Sequence, residues 1–237
     1  MSAGAAIKRF YAEAGAMEAG DGFTVSLDGR GLKTPAKAAF IAPTRALAQA
    51  CAAEWARQGD EVRPDSMPLT RLCNVAIDRT PLARAELAVG IGQYVETDLV
   101  CHRAEGPDVL VKRQAQSWDP IVDWARGELG AAFTVVTGVI AALDDPLGAG
   151  AATAKAAALD DFRLTGLAHG VGLMGSAALA FALMQARLSA QDAFDAAALD
   201  DIYQLEAWGE DAEARARLER MRSEIDALAA FFEALQA

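Results

Sequence analysis

From Phe23 to Leu27 apolar and polar residues alternate (Phe-Thr-Val-Ser-Leu), the period of a half-buried strand. Asp28-Gly29-Arg30-Gly31 then turns the chain, and Leu32-Lys33-Thr34 can pair back before Pro35, so a hairpin is expected. Phe40-Ile41 reads as a second short strand stopped by Pro43. Thr44 follows as a helix cap, and Leu47, Cys51 and Trp55 recur every four residues on one helix face that should cover the small sheet. Residues 61–68, polar and proline-containing, predict a loop, and helical signal resumes over 69–77. One later strand candidate remains, Phe133-Thr134-Val135-Val136-Thr137, flanked by Gly130 and Gly138. Residues 81–97, 107–129, 146–161, 173–188, 192–208 and 211–235 carry helix signals separated by Gly or Pro. In the last of these, Leu218, Met221, Ile225, Leu228, Phe232 and Leu235 form one stripe by steps of three and four, and packing on the chain's own bundle is favoured over a free partner-binding helix. The fold class predicted is α+β: a small N-terminal α+β domain with a short antiparallel sheet (residues 1–84), then a mainly α-helical domain (residues 85–237).

Composition narrows the partners. The chain of 237 residues carries a formal net charge of -11, which opposes nucleic acid and anionic lipid as partners, since both attract clustered Lys and Arg. Cys51, Cys73 and Cys101 are widely spaced without a CxxC pair, so neither a disulfide framework nor a zinc site is expected, and a reducing cytoplasm is the natural compartment. No apolar run near Met1 reaches the length of a signal peptide. Residues 164–186 contain no Asp, Glu, Lys or Arg, enough length to span a bilayer, yet their Gly, Thr, Ser, His and Gln dilute the hydrophobicity. A buried helix broken near Gly170 to Gly172 is the preferred reading, with no stable membrane insertion and a monomeric chain.

Candidate chemistry is sparse. There are two histidines, His102 and His169, and no GxSxG elbow, HExxH pair or Walker A loop. Gly170-Val171-Gly172-Leu173-Met174-Gly175 matches GxGxxG, but no clean strand precedes it and no acid follows at the ribose-binding distance, so close helix packing is preferred. Cys101 and His102 are adjacent, and neighbouring side chains diverge rather than meet. Repeated Asp pairs suit helix starts. No catalytic, cofactor or metal site is therefore expected. The rival readings are an enzyme with carboxylate chemistry at Asp98, Asp119 or around Asp200, and a membrane-associated scaffold held through residues 164–186.

An ordered series of short motifs changes the picture. Lys8-Arg9-Phe10-Tyr11, Leu27-Asp28-Gly29-Arg30 with Leu32-Lys33-Thr34-Pro35, Leu47-Ala48, Glu54-Trp55 and Gln58 open it; Met67-Pro68-Leu69-Thr70, Ala76-Ile77-Asp78, Thr97-Asp98-Leu99, Gln114, Trp118-Asp119-Pro120, Gln204 and Trp208-Gly209 continue it. Together they resemble the ATP synthase assembly chaperones of the Atp-twelve type over nearly the whole chain. The resemblance implies an N-terminal α+β domain, a helical C-terminal domain, no activity or cofactor of its own, and a client, the free alpha subunit of the F-type ATP synthase head. It implies the cytoplasm of a bacterium or the mitochondrial matrix of a eukaryote. It also carries over acidic partner-binding positions before the Trp-Gly motif, here Asp200, Asp201 and Glu206. The alternative is a helix whose Tyr203 and Trp208 pack inward while its acids are merely solvated. On a helix Asp201 and Leu205 share one stripe and Asp200, Gln204 and Trp208 another, so the three acids cannot all face one contact. Asp28-Gly29-Arg30 is most simply a turn, from which Arg30 could reach a partner carboxylate. Trp118-Asp119-Pro120 reads as a helix start, with Asp119 as cap and Pro120 in the first turn.

Overall fold

A computed structural model describes residues 7–138, 146–209 and 211–236. The chain is α+β and resolves into two compact units, one holding the residues up to Leu82 together with those from Ala230 onward, the other Ala83–Ala229.

In the first unit β1 (Ile7–Lys8) stands apart from a three-stranded antiparallel sheet ordered β2 (Ala14–Ala19), β3 (Gly22–Leu27), β4 (Arg30–Gly31). The β2–β3 register runs from Ala14 opposite Leu27 to Ala19 opposite Gly22, leaving Gly20-Asp21 as the turn. Gly22 is there because a Cβ would sit 2.5 Å from the Ala42 carbonyl oxygen. That approach lets Phe23 and Ala42 exchange backbone hydrogen bonds of 2.9 and 2.7 Å. The helix α1 (Arg45–Ala56) packs on β2 and β3. Its Thr44 cap accepts from Leu47 N, and Leu47, Cys51 and Trp55 are buried, as their spacing predicts. Next, β5 (Glu61–Val62) pairs antiparallel with β1, and a 3-10 turn leads to α2 (Pro68–Asp78). The open N-terminus of α2 is closed by Glu54 of α1, whose buried carboxylate accepts from Leu69 N and Thr70 N at 2.8 Å and from Thr70 Oγ1 at 2.7 Å.

The second unit is helical: α3 (Thr80–Gln93), α4 (Asp108–Leu129), α5 (Pro146–Ala157), α6 (Asp161–Met174), α7 (Ala177–Met184), α8 (Ala190–Ala197), α9 (Leu199–Trp208) and α10 (Ala212–Ala234). A two-residue parallel pair, β6 (His102–Arg103) with β7 (Val136–Thr137), joins them. Every residue of α7 is buried, and α4, α6 and α8 pack around it, the expected fate of a helix apolar on all sides. Ser176 Oγ accepts from Leu179 N, and buried Asp98 accepts from Ala178 N at 3.0 Å, so the start of α7 is capped from within the core. Trp118 of α4 is fully buried and donates Nε1–H to Ala196 O at 2.9 Å. The predicted stripe of α10 is real: Leu218, Ile225 and Leu228 are buried in this unit, whereas Phe232 and Leu235 lie beyond Ala230 and belong to the first.

Several local expectations are corrected. The main hairpin partner of β3 is β2; the return strand is β4, inside the expected turn, while Leu32–Thr34 forms no strand and has only Lys33 bridging Ala39, and Phe40-Ile41 forms none either, with Ala42 bridging Phe23. The expected loop 61–68 contains β5 and the 3-10 turn. The Phe133–Thr137 strand reduces to Val136–Thr137 because Phe133 adopts φ 43°, outside strand geometry. The helix expected over 192–208 is two helices meeting at buried Ala198. No break occurs near Gly170 to Gly172; α6 runs on to Met174 and ends at Gly175, whose φ of 64° makes the left-handed cap. Nor does Trp118-Asp119-Pro120 start a helix. Pro120 lies inside α4, and Asp119 pairs with Arg103 at 2.9 Å instead of capping.

Candidate functional site

The segment carrying the three acids folds as α9, a helix with no buried residue. Asp200 and Asp201 fall in its first turn, where the helix dipole favours negative charge. Asp200 Oδ1 accepts from Gln114 Nε2 at 2.8 Å, while Gln114 Oε1 accepts from Ala104 N at 2.8 Å, so buried Gln114 ties α9 to the chain before α4. Asp201 pairs with Arg217 of α10 at 2.8 Å. Glu206 pairs with Arg113 of α4 at 2.5 Å, and the Arg113 guanidinium also lies 5.6 Å from the centroid of the Tyr203 ring. The acids thus diverge as the helical spacing requires: Asp200 and Glu206 toward α4, Asp201 toward α10. The sequence could not reveal Arg113, Gln114 and Arg217 as their partners, because pairs across helices leave no local spacing signal.

These pairs are shallow. Arg113, Glu206 and Arg217 are exposed, and exposed ion pairs contribute only about 0–1 kcal/mol, so a partner could exchange with them. Trp208 is 86% exposed at the end of α9, against the alternative reading in which it packs inward, while Tyr203 is half-buried. Beside it Phe194, Ile202, Leu205 and Leu218 line an open groove of about 380 Å³ rimmed by Glu206, Arg215, Glu219 and Arg222. Arg30 is exposed on β4 in the first unit, next to Asp28, whose carboxyl is held below the usual range mainly by the amides of Glu13 and Ala12.

The carboxylates and thiols considered for catalysis occupy other roles. Asp98 has no exposed surface, and burial pushes its carboxyl up to about 6 while amide hydrogen bonds oppose the shift. Burial likewise pushes the Cys101 thiol up to about 12, the reverse of an activated thiolate, and His102 Nδ1 lies 3.0 Å from Asp98 O. Among the described residues, no group of three or more His, Cys, Asp or Glu side chains could hold a metal ion. Gly170 is packed in α6, where a Cβ would approach Leu228 Cδ2 to 2.9 Å, and the element directly before α6 is the helix α5, not a strand. Residues 164–186 are divided between α6 and α7, and no described helix is long and apolar enough to cross a membrane.

An N-terminal α+β unit, a helical unit around α7 and an acidic helix exposing a tryptophan define a two-unit α+β protein. The chain belongs to the ATP12 chaperone protein family, whose model matches residues 8–126. Its fold superimposes on Atp12 from Paracoccus denitrificans with a TM-score of 0.90 at 37% identity, covering 97% of this chain and 98% of that one. The Atu1473 protein of Agrobacterium tumefaciens gives 0.87 at 39% identity over 97% of this chain and 85% of that one. The mitochondrial protein atp12 of Schizosaccharomyces pombe is 24% identical over 197 residues, 78% of this chain and 68% of its own. The family read from the sequence motifs is the family these likenesses define.

Proposed function

We propose that this protein is an assembly chaperone for the F-type ATP synthase head, binding the free alpha subunit and keeping it from aggregating until the beta subunit pairs with it. The observation that carries the reading is likeness in sequence and fold to Atp12 over 97% of the chain, within a family named for chaperone action. An unassembled subunit exposes an apolar interface, an aggregation hazard that a protein-binding surface can cover. We place one such surface on α9, where Trp208 is exposed and the acids are held by exchangeable pairs. Arg30 provides a second contact in the first unit. The action is binding, without catalysis, cofactor or nucleic acid, by a monomer in the bacterial cytoplasm or the mitochondrial matrix.

Co-expression with the alpha subunit tests both parts. The parent chain should raise the yield of soluble alpha subunit, and failure to do so removes the chaperone reading. Asp200→Asn, Asp201→Asn and Glu206→Gln keep the size of each side chain and should each unfold close to the parent, the exposed Glu206→Gln within about 0.5 kcal/mol. At least one should protect the subunit less well, since a charge paired in a desolvated contact is worth about 2 kcal/mol or more. Equal protection by all three would remove α9 from the contact and leave the family function standing.

A further inference from the structure

We infer that the N-terminal unit carries its own docking site, a basic-rimmed aromatic hollow around Phe10 that takes an acidic, apolar segment of a partner protein. The hollow, about 530 Å³, is lined by the rings of Phe10 and Tyr11, by Leu27 and Leu32, and by Asp28, Arg30 and Lys33. It rests on the chaperone reading only for who the partner is.

The chain on either side of Phe10 is clamped. Arg9 donates from Nε to Tyr11 O at 3.0 Å, from Nη2 to Ala12 O at 2.8 Å and from Nη1 to Gln58 O at 2.6 Å. Tyr11 donates its hydroxyl to Trp55 O at 2.7 Å. The Asp28 carboxylate accepts from Ala12 N at 3.0 Å and Glu13 N at 2.8 Å. Held edge-on to Tyr11 with centroids 5.4 Å apart, the Phe10 ring is nonetheless 65% exposed. An exposed ring adds little to folding; one fixed in place loses little freedom on binding, and rigid aromatics beside an arginine are the usual anchors of protein interfaces.

Charge selects the occupant. Ala83–Ala229 contains 12 basic and 23 acidic residues and the rest of the chain ten of each, so the net charge of -11 lies wholly in the second unit. At the hollow, Asp28 is committed to two amides, whereas neither Arg30 nor Lys33 lies within ion-pair distance of a described carboxylate. Two cations without an ion-pair partner, of which Arg30 acts on Asp28 only from beyond that distance, flank an apolar floor and match a segment with an apolar side chain between carboxylates. An anionic membrane would call for a larger cluster, about four to eight basic residues.

The test uses the full-length chain and a fluorescein-labelled decapeptide with Leu and Phe set between Asp and Glu, followed by anisotropy. The parent should bind it, progressively more weakly as sodium chloride is raised, and should not bind the same peptide with Lys at every acid. Arg30→Glu/Lys33→Glu should weaken binding by about tenfold or more, as loss of a pair of charge contacts does. Phe10→Ala should weaken it while keeping the salt dependence. The site is overturned if the double variant, folded by circular dichroism, binds like the parent, if the basic peptide binds equally, or if the parent binds phosphatidylserine vesicles but not the acidic peptide. Should the parent fail to protect the alpha subunit yet bind the peptide as described, the client assignment falls and the hollow stands.

Discussion

Asp98 and Glu54 are carboxylates placed where water is excluded, each capping a helix that is not its own. For Asp98 the folded carboxyl titrates at about 6 against an ordinary 3.8. The folded state therefore holds its proton more tightly than the unfolded state. The associated stability is fully present below the ordinary value and is lost as pH rises through about 6, a difference of about 3 kcal/mol for that shift. Comparison of urea unfolding for the parent and Asp98→Asn across this range should show the parent's advantage largest in acid and shrinking toward neutral pH; an advantage that grows would give the opposite sign. Glu54 is raised in the same direction by desolvation, against three opposing hydrogen bonds at the start of α2. Glu54→Gln turns an amide donor toward donors and should cost about 2 kcal/mol in chemical denaturation. Neither role was legible in the sequence, because a capping acid from another element has no fixed spacing. Asp98 consequently looked as suitable for catalysis as any other aspartate.

At the level of elements, the first two of the three glycines in the GxGxxG match behave differently. Gly170 faces Leu228 and Ala180, whereas a Cβ at Gly172 would meet nothing within 4 Å. Gly170→Ala should lower stability by about 1–2 kcal/mol through overpacking, and Gly172→Ala should raise it by about 0.5–1 kcal/mol through helix propensity. Thermal unfolding of both separates a packed helix from a phosphate loop, in which both replacements would harm. Where periodicity was strong the elements were readable: Thr44 capping α1, and the α10 stripe from Leu218 to Leu235. The β2 strand escaped because Ala14-Gly15-Ala16-Met17-Glu18-Ala19 has no β-branched residue, and its conformation comes from pairing with β3. The α8–α9 junction escaped because the chain turns at Ala198 without Gly or Pro. The acids of α9 stand out in the sequence only through motif likeness, and the exposure of Trp208 ran against its hydrophobicity.

On the scale of the molecule, α10 belongs to both units, since residues from Ala230 onward cluster with the N-terminal sheet and its helix. Thr44, which caps α1, also donates its hydroxyl to Ala234 O, and Phe231, Phe232 and Leu235 are buried. A chain ending at Ala229 loses these three side chains, each worth about 1.5–3 kcal/mol when buried. Hydrogen exchange should then quicken in β3 and α1 while α7 keeps its protection; unchanged exchange in β3 would mean the first unit closes without them. During translation this discontinuity sets an order of events. At roughly 5–20 residues per second, the ribosome adds the whole of Ala83–Ala229 over about 7–30 seconds before the first unit can receive its missing turn. The N-terminal sheet is thus synthesised first and finished last, and a polypeptide interrupted anywhere inside the second unit leaves the first one open and recognisable to proteases as unfinished.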